Sequence, residues 1–100
     1  MKEYTLKLTK DLKYQLFQQW LFLSSFNLNI AKKFLLNYNL SVNSLKYFPN
    51  RNQSVFSNKK YRRMFFFNHY IIIYFVDNLH NIVYIKYVFS TKQNYDKFIS

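Results

Sequence analysis

The sequence predicts an α+β domain in the order β-α-α-β-β-β, with an optional helix at its end: a helical hairpin packed on a small, mainly antiparallel sheet. Three observations carry this. Apolar residues recur at helical spacing in two consecutive stretches, first through Leu12, Leu16, Trp20 and Leu23 and then through Ile30, Phe34, Tyr38 and Val42. A continuous apolar run, Ile71-Ile72-Ile73-Tyr74-Phe75-Val76, lies among strand-like segments and reads as a central strand covered on both faces. The chain opens with alternation, Tyr4, Leu6 and Leu8 against Glu3, Thr5 and Lys7, as in a half-buried strand. One hundred residues is the size of one domain, and positions 1–100 read as one.

The elements follow in order. Thr9 is the expected N-cap of the first helix, with Asp11 in its first turn where the helix dipole favours an acid. Phe17 and Leu21 join the apolar stripe, and the helix is expected to end between Ser24 and Asn27. The second helix is expected from about Asn29, with Leu35 and Leu45 completing its apolar face, and it must stop before Pro49. So short a connection makes an αα-hairpin. From Pro49 to Lys60 the chain is polar and loop-like apart from Val55 and Phe56. Strands are then expected over 61–67, 69–77 and 81–89, the last two joined through Asp77-Asn78-Leu79-His80-Asn81. Residues from Thr91 to Ile99 supply the optional tail helix. Glycine is absent, so turns that need positive φ are expected to fall to Asn, which is abundant at 27, 29, 50, 52, 68, 78 and 81. The same absence excludes P-loop and dinucleotide-binding loops.

Charge is the strongest compositional fact. Fifteen Lys and Arg face four acids, a formal net charge of +11, and no carboxylate lies between Leu12 and Val76. Self-repulsion on this scale points to a polyanionic or acidic partner. There is no cysteine, and the scattered acids and histidines offer no metal-ligand set, so neither a cofactor nor a metal is expected. The start lacks the apolar core of a secretory signal, and the most apolar stretch is too short to span a bilayer, so a cytoplasmic protein with no membrane contact is expected.

Several strings, in this order, resemble the RelE/ParE superfamily of bacterial toxins. They are Tyr4-Thr5-Leu6-Lys7-Leu8-Thr9-Lys10 at the first strand and Ser44-Leu45-Lys46-Tyr47-Phe48-Pro49-Asn50-Arg51 at the end of the second helix. Tyr61-Arg62-Arg63-Met64-Phe65 and Tyr70 to Val76 follow in the sheet. Ile82-Val83-Tyr84-Ile85 and Val88-Phe89-Ser90-Thr91-Lys92-Gln93-Asn94-Tyr95 close the set. The resemblance implies the RelE/ParE-like fold and a growth-inhibiting toxin of a type II toxin–antitoxin system, held inactive by a cognate acidic antitoxin. The target it implies first is the ribosome, where a metal-independent endoribonuclease cuts mRNA, the broader activity attached to this fold; the alternative is DNA gyrase, which is poisoned without nuclease chemistry. No small-molecule substrate is implied.

Metal-free RNA scission needs a base for the ribose 2′-hydroxyl, cations for the phosphorane and an acid for the leaving oxygen. The candidates for this work are Arg62, Arg63, Lys92, Tyr87 and Tyr95, with Lys59, Lys60, Lys86 and Arg51 binding nucleic acid. Arginine forks bind phosphate bidentately, which suits Arg62 or Arg63. Neighbouring strand residues point to opposite faces, so at most one of the pair belongs to such a site. The two groups of cations, before the first long strand and at the end of the last, are expected to meet at one sheet edge. Two departures weigh against the nuclease branch. Ile71 stands where that branch usually carries an arginine, and in the trailing string Ser90 stands at a histidine position; against these, Lys92 at an arginine position still keeps a cation. His69 and His80 read as solvated turn residues, and Trp20 as core. The run Phe65-Phe66-Phe67 must present rings to both faces of its strand, as an ordinary two-sided core or as a patch for the antitoxin.

Overall fold

The computed structural model describes residues 3–55 and 57–92. It contains β1 (Thr5–Leu8), α1 (Lys10–Phe26), α2 (Leu28–Ser44), β2 (Arg62–Phe66), β3 (Tyr70–Asp77) and β4 (Ile82–Ser90). The sheet order is β1-β4-β3-β2. The three long strands are antiparallel neighbours, and β1 joins β4 in parallel, a crossover made by the helical hairpin. The predicted α+β layering is therefore the observed one. The predicted tail helix lies mostly outside the described residues.

Local chemistry sets the helix boundaries. Thr9 is extended, with φ −79° and ψ 163°, and its hydroxyl accepts from the Leu12 amide at 3.1 Å. Asn27 serves both helices. Its backbone N–H closes α1 on the Leu23 carbonyl at 2.9 Å, while its side chain accepts from the amides of Asn29 and Ile30 at 2.9 and 3.3 Å. The second helix runs straight through the Asn- and Ser-rich stretch 37–43, where propensity alone is weak. Phe34, Tyr38 and Val42 are buried on its inner face and hold it there.

Both helices lie on one face of the sheet, α1 against β4 and α2 against β2. Between the layers, Leu12, Phe34, Tyr38, Val42 and Leu45 meet Met64, Phe66, Tyr70, Ile72, Tyr74, Val83, Ile85 and Val88. The rings of Phe34, Phe66 and Tyr70 pack with centroids 4.8 to 5.6 Å apart. Leu16, Trp20, Leu23 and Leu35 pack at the margin of this core. Three expected core residues are instead exposed: Phe17 at 54%, Leu21 at 41% and Ile30 at 41%. The buried stripe of each helix is narrower than its run of hydrophobic residues, and at the start of α2 it is Ala31, fully buried, that faces inward beside the exposed Ile30.

β3 is buried from Tyr70 to Tyr74, as a central strand should be. Its second cover is a smaller cluster in which Val55 packs with Ile71, Ile73 and Phe89, flanked by Tyr61 and Tyr87. The segment carrying Val55 runs beside β2: Ser54 bridges to Arg62, the Arg63 amide donates to the Gln53 carbonyl at 3.0 Å, and the Val55 amide donates to the Tyr61 carbonyl at 2.8 Å. This covers an otherwise open sheet edge. Positive φ occurs at Asn68 (63°) and Asn81 (57°), as expected of Asn, and also at Phe67 (49°), where it was not expected. A bulky residue there is strained. Its ring packs on Phe34 and Tyr70 at 6.1 and 6.4 Å, which holds it in place.

The β3–β4 ladder carries one irregularity. Ile73 pairs with Tyr87 and Tyr74 with Ile85, so Lys86 is an extra residue, a bulge in β4. Its carbonyl accepts from the Thr9 hydroxyl at 3.0 Å, and the Val88 amide donates to the Gln15 side chain at 3.0 Å. The first turns of α1 are thus docked onto the bulge.

Candidate functional site

The sheet face turned away from the helices gathers three of the candidate residues, Arg63, Tyr87 and Lys60. Side chains of directly paired strand residues share a face. Arg63 pairs with Ile73, and Ile73 pairs with Tyr87, so Arg63 and Tyr87 flank Ile73 on this outer face. In the next row towards β2's far end, Phe65, Ile71 and Phe89 stand together. On the other side Phe75 pairs with Tyr84, and Tyr84 with Lys7 of β1.

Rings and cations interleave along this face. Phe75 and Tyr84 stack at 4.7 Å, Tyr61 meets Phe75 edge-on at 5.9 Å, and Tyr87 stacks on Phe89 at 5.4 Å. The Lys60 ammonium lies 4.6 Å from the Phe75 ring centre and 5.8 Å from that of Tyr61. The Arg63 guanidinium lies 5.8 Å from the Phe65 ring centre, and its Nη2 donates to Gln53 Oε1 at 3.2 Å. Phe65 is exposed at 59%, whereas Phe66 is buried beneath the helices. The three consecutive phenylalanines therefore divide between an exposed ring, a core ring and the strained turn.

The chemistry of Tyr87 follows from its neighbours. Partial burial, with Tyr61 and the Asp11 carboxylate nearby, pushes its phenol above the ordinary value. At neutral pH it holds its proton, so it can donate one and is a poor acceptor. Ile71 is fully buried in the Val55 cluster, so the position of the nuclease-branch arginine is here an apolar plug.

The other candidates are placed differently. Arg62 pairs with Tyr74 and lies on the helix-facing side, where its Nη1 donates to the Asn52 carbonyl at 2.5 Å. The rule that only one arginine of the pair can serve the outer face selects Arg63. Arg51 is exposed and stacks on Phe48, 5.3 Å from its ring centre, away from the Arg63 row. Lys59 is exposed beside Lys60, and Lys86 is half-buried at the bulge next to Tyr87. Lys92 is not part of this group. β2 and β4 run in the same direction, so the end of β4 lies beside the end of β2, whereas Arg62 and Arg63 are at its start. Lys92 instead borders a groove lined by Phe22, Leu23, Ile30, Phe67 and Tyr70. The expected meeting of the two cation groups at one edge is realised only for Lys86 and Tyr87, across β3 from Arg63. Tyr95 lies outside the described residues.

Sequence reasoning passed over Lys7, Phe75 and Tyr84. Their signal was present in the alternation of β1 and β4, but it has meaning only once the parallel pairing of those strands is known. His69 is exposed in the turn between β2 and β3, and His80 pairs with Asp77 at 2.8 Å in the last turn. Among the described residues no group of three or more His, Asp or Glu could hold a metal ion, and no helix is long and apolar enough to cross a membrane.

A hairpin of two helices packed on one face of a four-stranded mixed sheet, in the order β1-β4-β3-β2, is a RelE/ParE-like fold, as two solved structures show. A chain of the chromosomal ParDE toxin–antitoxin system from P. aeruginosa superposes with a TM-score of 0.74, covering 92% of this chain and 100% of that one at 13% identity. A chain of the toxin–antitoxin complex RelBE2 from Mycobacterium tuberculosis gives 0.63, covering 90% of this chain and 93% of that one at 17% identity. No protein-family model and no curated protein sequence matches, so the likeness is one of fold.

Proposed function

We propose that this chain is the growth-inhibiting toxin of a type II toxin–antitoxin pair, neutralised by an acidic cognate antitoxin, and that it meets its target with the outer face of the sheet. The observation that carries this is the row Arg63–Ile73–Tyr87, bordered by Lys60, Lys86, Lys7 and stacked rings. Cations that bind phosphate beside rings that accept a base are the chemistry of a nucleic-acid-bearing target. The net charge of +11 suits both such a target and an acidic antitoxin.

In the ribonuclease reading, the ribose 2′-oxygen bonds to phosphorus and loses its proton to solvent water, the P–O5′ bond breaks and Tyr87 protonates the leaving 5′-oxygen. Arg63 binds the scissile phosphate, while Lys59, Lys60 and Lys86 hold the mRNA in the ribosome. A specific observation favours the second reading, inhibition of DNA gyrase without chemistry. Tyr87 keeps its proton and so cannot serve as the base for the 2′-hydroxyl, Ile71 fills the arginine position with a buried side chain, and Lys92 stands at the other end of the sheet. The face is better furnished for holding a polyanion than for cutting one.

Primer extension on a reporter message in a purified translation system, with and without ribosomes, separates the two. New 5′ ends that depend on ribosomes support cleavage. Intact message together with loss of gyrase supercoiling supports the inhibitor. Neither effect at doses that arrest cells would overturn both targets.

A further inference from the structure

Arg62 and Arg63 are adjacent, yet they face opposite sides of the sheet. Resting on the proposed use of the outer face, we infer that Arg62 is a positioning residue: with Tyr74 it fixes Asn52, so that the next residue, Gln53, holds the Arg63 guanidinium on the row shared with Tyr87.

The contacts form one continuous strut. Tyr74 is fully buried, and its hydroxyl donates to the Pro49 carbonyl at 2.7 Å while accepting from Asn52 Nδ2 at 3.0 Å. The Asn52 carbonyl takes the Arg62 Nη1 donor at 2.5 Å. Asn52 is therefore gripped at its side chain by β3 and at its backbone by β2. Gln53 follows directly. Its carbonyl accepts the Arg63 amide at 3.0 Å, and its Oε1 accepts Arg63 Nη2 at 3.2 Å. Segment 49–53 has no helix or strand of its own; Asn50 ties its start to Asn78 and Tyr4, and the bonds to Tyr74, Arg62 and Arg63 hold the end that carries Asn52 and Gln53.

Each group suits its place. Arg62 must lie beside a buried phenol and still present a directed planar donor to a carbonyl, which a lysine ammonium does less well. Tyr74 supplies both a donor and an acceptor from one rigid ring. An arginine prearranged in this way meets a phosphate without first being ordered, and a shift of about 1 Å at such a group costs up to about a hundredfold in activity. Arg62 itself does not reach the target, because the sheet lies between it and the outer face.

The test is a double-mutant cycle read as the inducer dose for half-maximal growth arrest at matched protein level. Arg62→Lys and Tyr74→Phe are each expected to raise that dose about tenfold in the wild-type background, and to add nothing to Arg63→Ala. Losses that multiply with Arg63→Ala would overturn the inference, since Arg62 would then be acting independently of Arg63. Amide hydrogen exchange gives a second readout that does not depend on toxicity. Exchange at Arg63 and Val55 should accelerate in both single variants while Ile72 in the core stays protected, and unchanged exchange at Arg63 would overturn the strut. If Arg63→Ala leaves arrest unchanged, the outer-face reading is what fails, and with it the positioning role.

Discussion

The hydroxyl of Thr9 donates to the carbonyl of Lys86, 3.0 Å away, at the bulge in β4. The same oxygen accepts from the Leu12 amide that opens α1. A single side chain therefore caps the first helix and satisfies a carbonyl that the bulge has removed from the strand ladder.

Replacing Thr9 should reveal both roles. Thr9→Val keeps the shape and loses the hydroxyl, and is expected to cost about 1–2 kcal/mol, with Thr9→Ser recovering most of it. Urea denaturation of the two variants checks this; equal stability of Thr9→Val and the wild type would contradict it.

Alkaline pH should unfold the protein through its buried tyrosines. Burial pushes the Tyr38 phenol up to about 12, and burial also raises those of Tyr70 and Tyr74. A folded-state value above the unfolded one means stability that is complete below the unfolded value of 10.0 and is lost as pH rises through the folded one. The Tm should therefore fall between about pH 10 and pH 12, less steeply in Tyr38→Phe. The Tyr38 hydroxyl is buried with no hydrogen-bond partner among the described residues, so Tyr38→Phe should be at least as stable as the wild type at neutral pH.

Asp77 should act at the other end of the pH scale. Hydrogen bonds from the His80 side chain and backbone, with the Leu79 amide, lower its carboxyl below the ordinary 3.8. A lowered folded value means stability present above 3.8 and lost as pH falls through the folded one. Asp77→Ala should melt below the wild type at pH 7, and the gap should close in acid. A gap that persisted unchanged at low pH would show that the carboxylate does not hold the turn.

Restoring the missing arginine should fail. Ile71 is fully buried against Val55, Ile73 and Phe89, so Ile71→Arg places a charge in an apolar cluster. A loss of more than about 3 kcal/mol is expected, by urea denaturation, with no gain of RNA cleavage. A stable, cleaving Ile71→Arg protein would contradict the sealed geometry.

Much of the fold was legible because it rests on local chemistry. Thr9 before an apolar-periodic stretch reads as an N-cap, Pro49 stops a helix, and Asn68 and Asn81 tolerate positive φ without glycine. The unbroken apolar run of β3 required cover on both faces, and it has it. Phe17, Leu21 and Ile30 were misplaced because a hydrophobic pattern shows which residues are apolar and not how narrow the buried stripe is. Phe67 was missed because a strained turn is held by distant rings, those of Phe34 and Tyr70.

Tyr87 marks the boundary between the two kinds of information. The sequence by itself determined the element order, the capped hairpin, the central strand and a basic chain with Arg63 available to one face. Strand alternation alone would set Tyr87 on the same side as Ile85, beneath the helices. The bulge at Lys86 turns it to the outer face beside Ile73, and that bulge is held by Thr9 and Gln15 of α1. The direction of β4 likewise carries Lys92 away from Arg63. These were decided by tertiary structure, because the register and relative direction of strands are fixed by hydrogen bonds between residues as far apart in the chain as Thr9 and Lys86, and no local pattern records them.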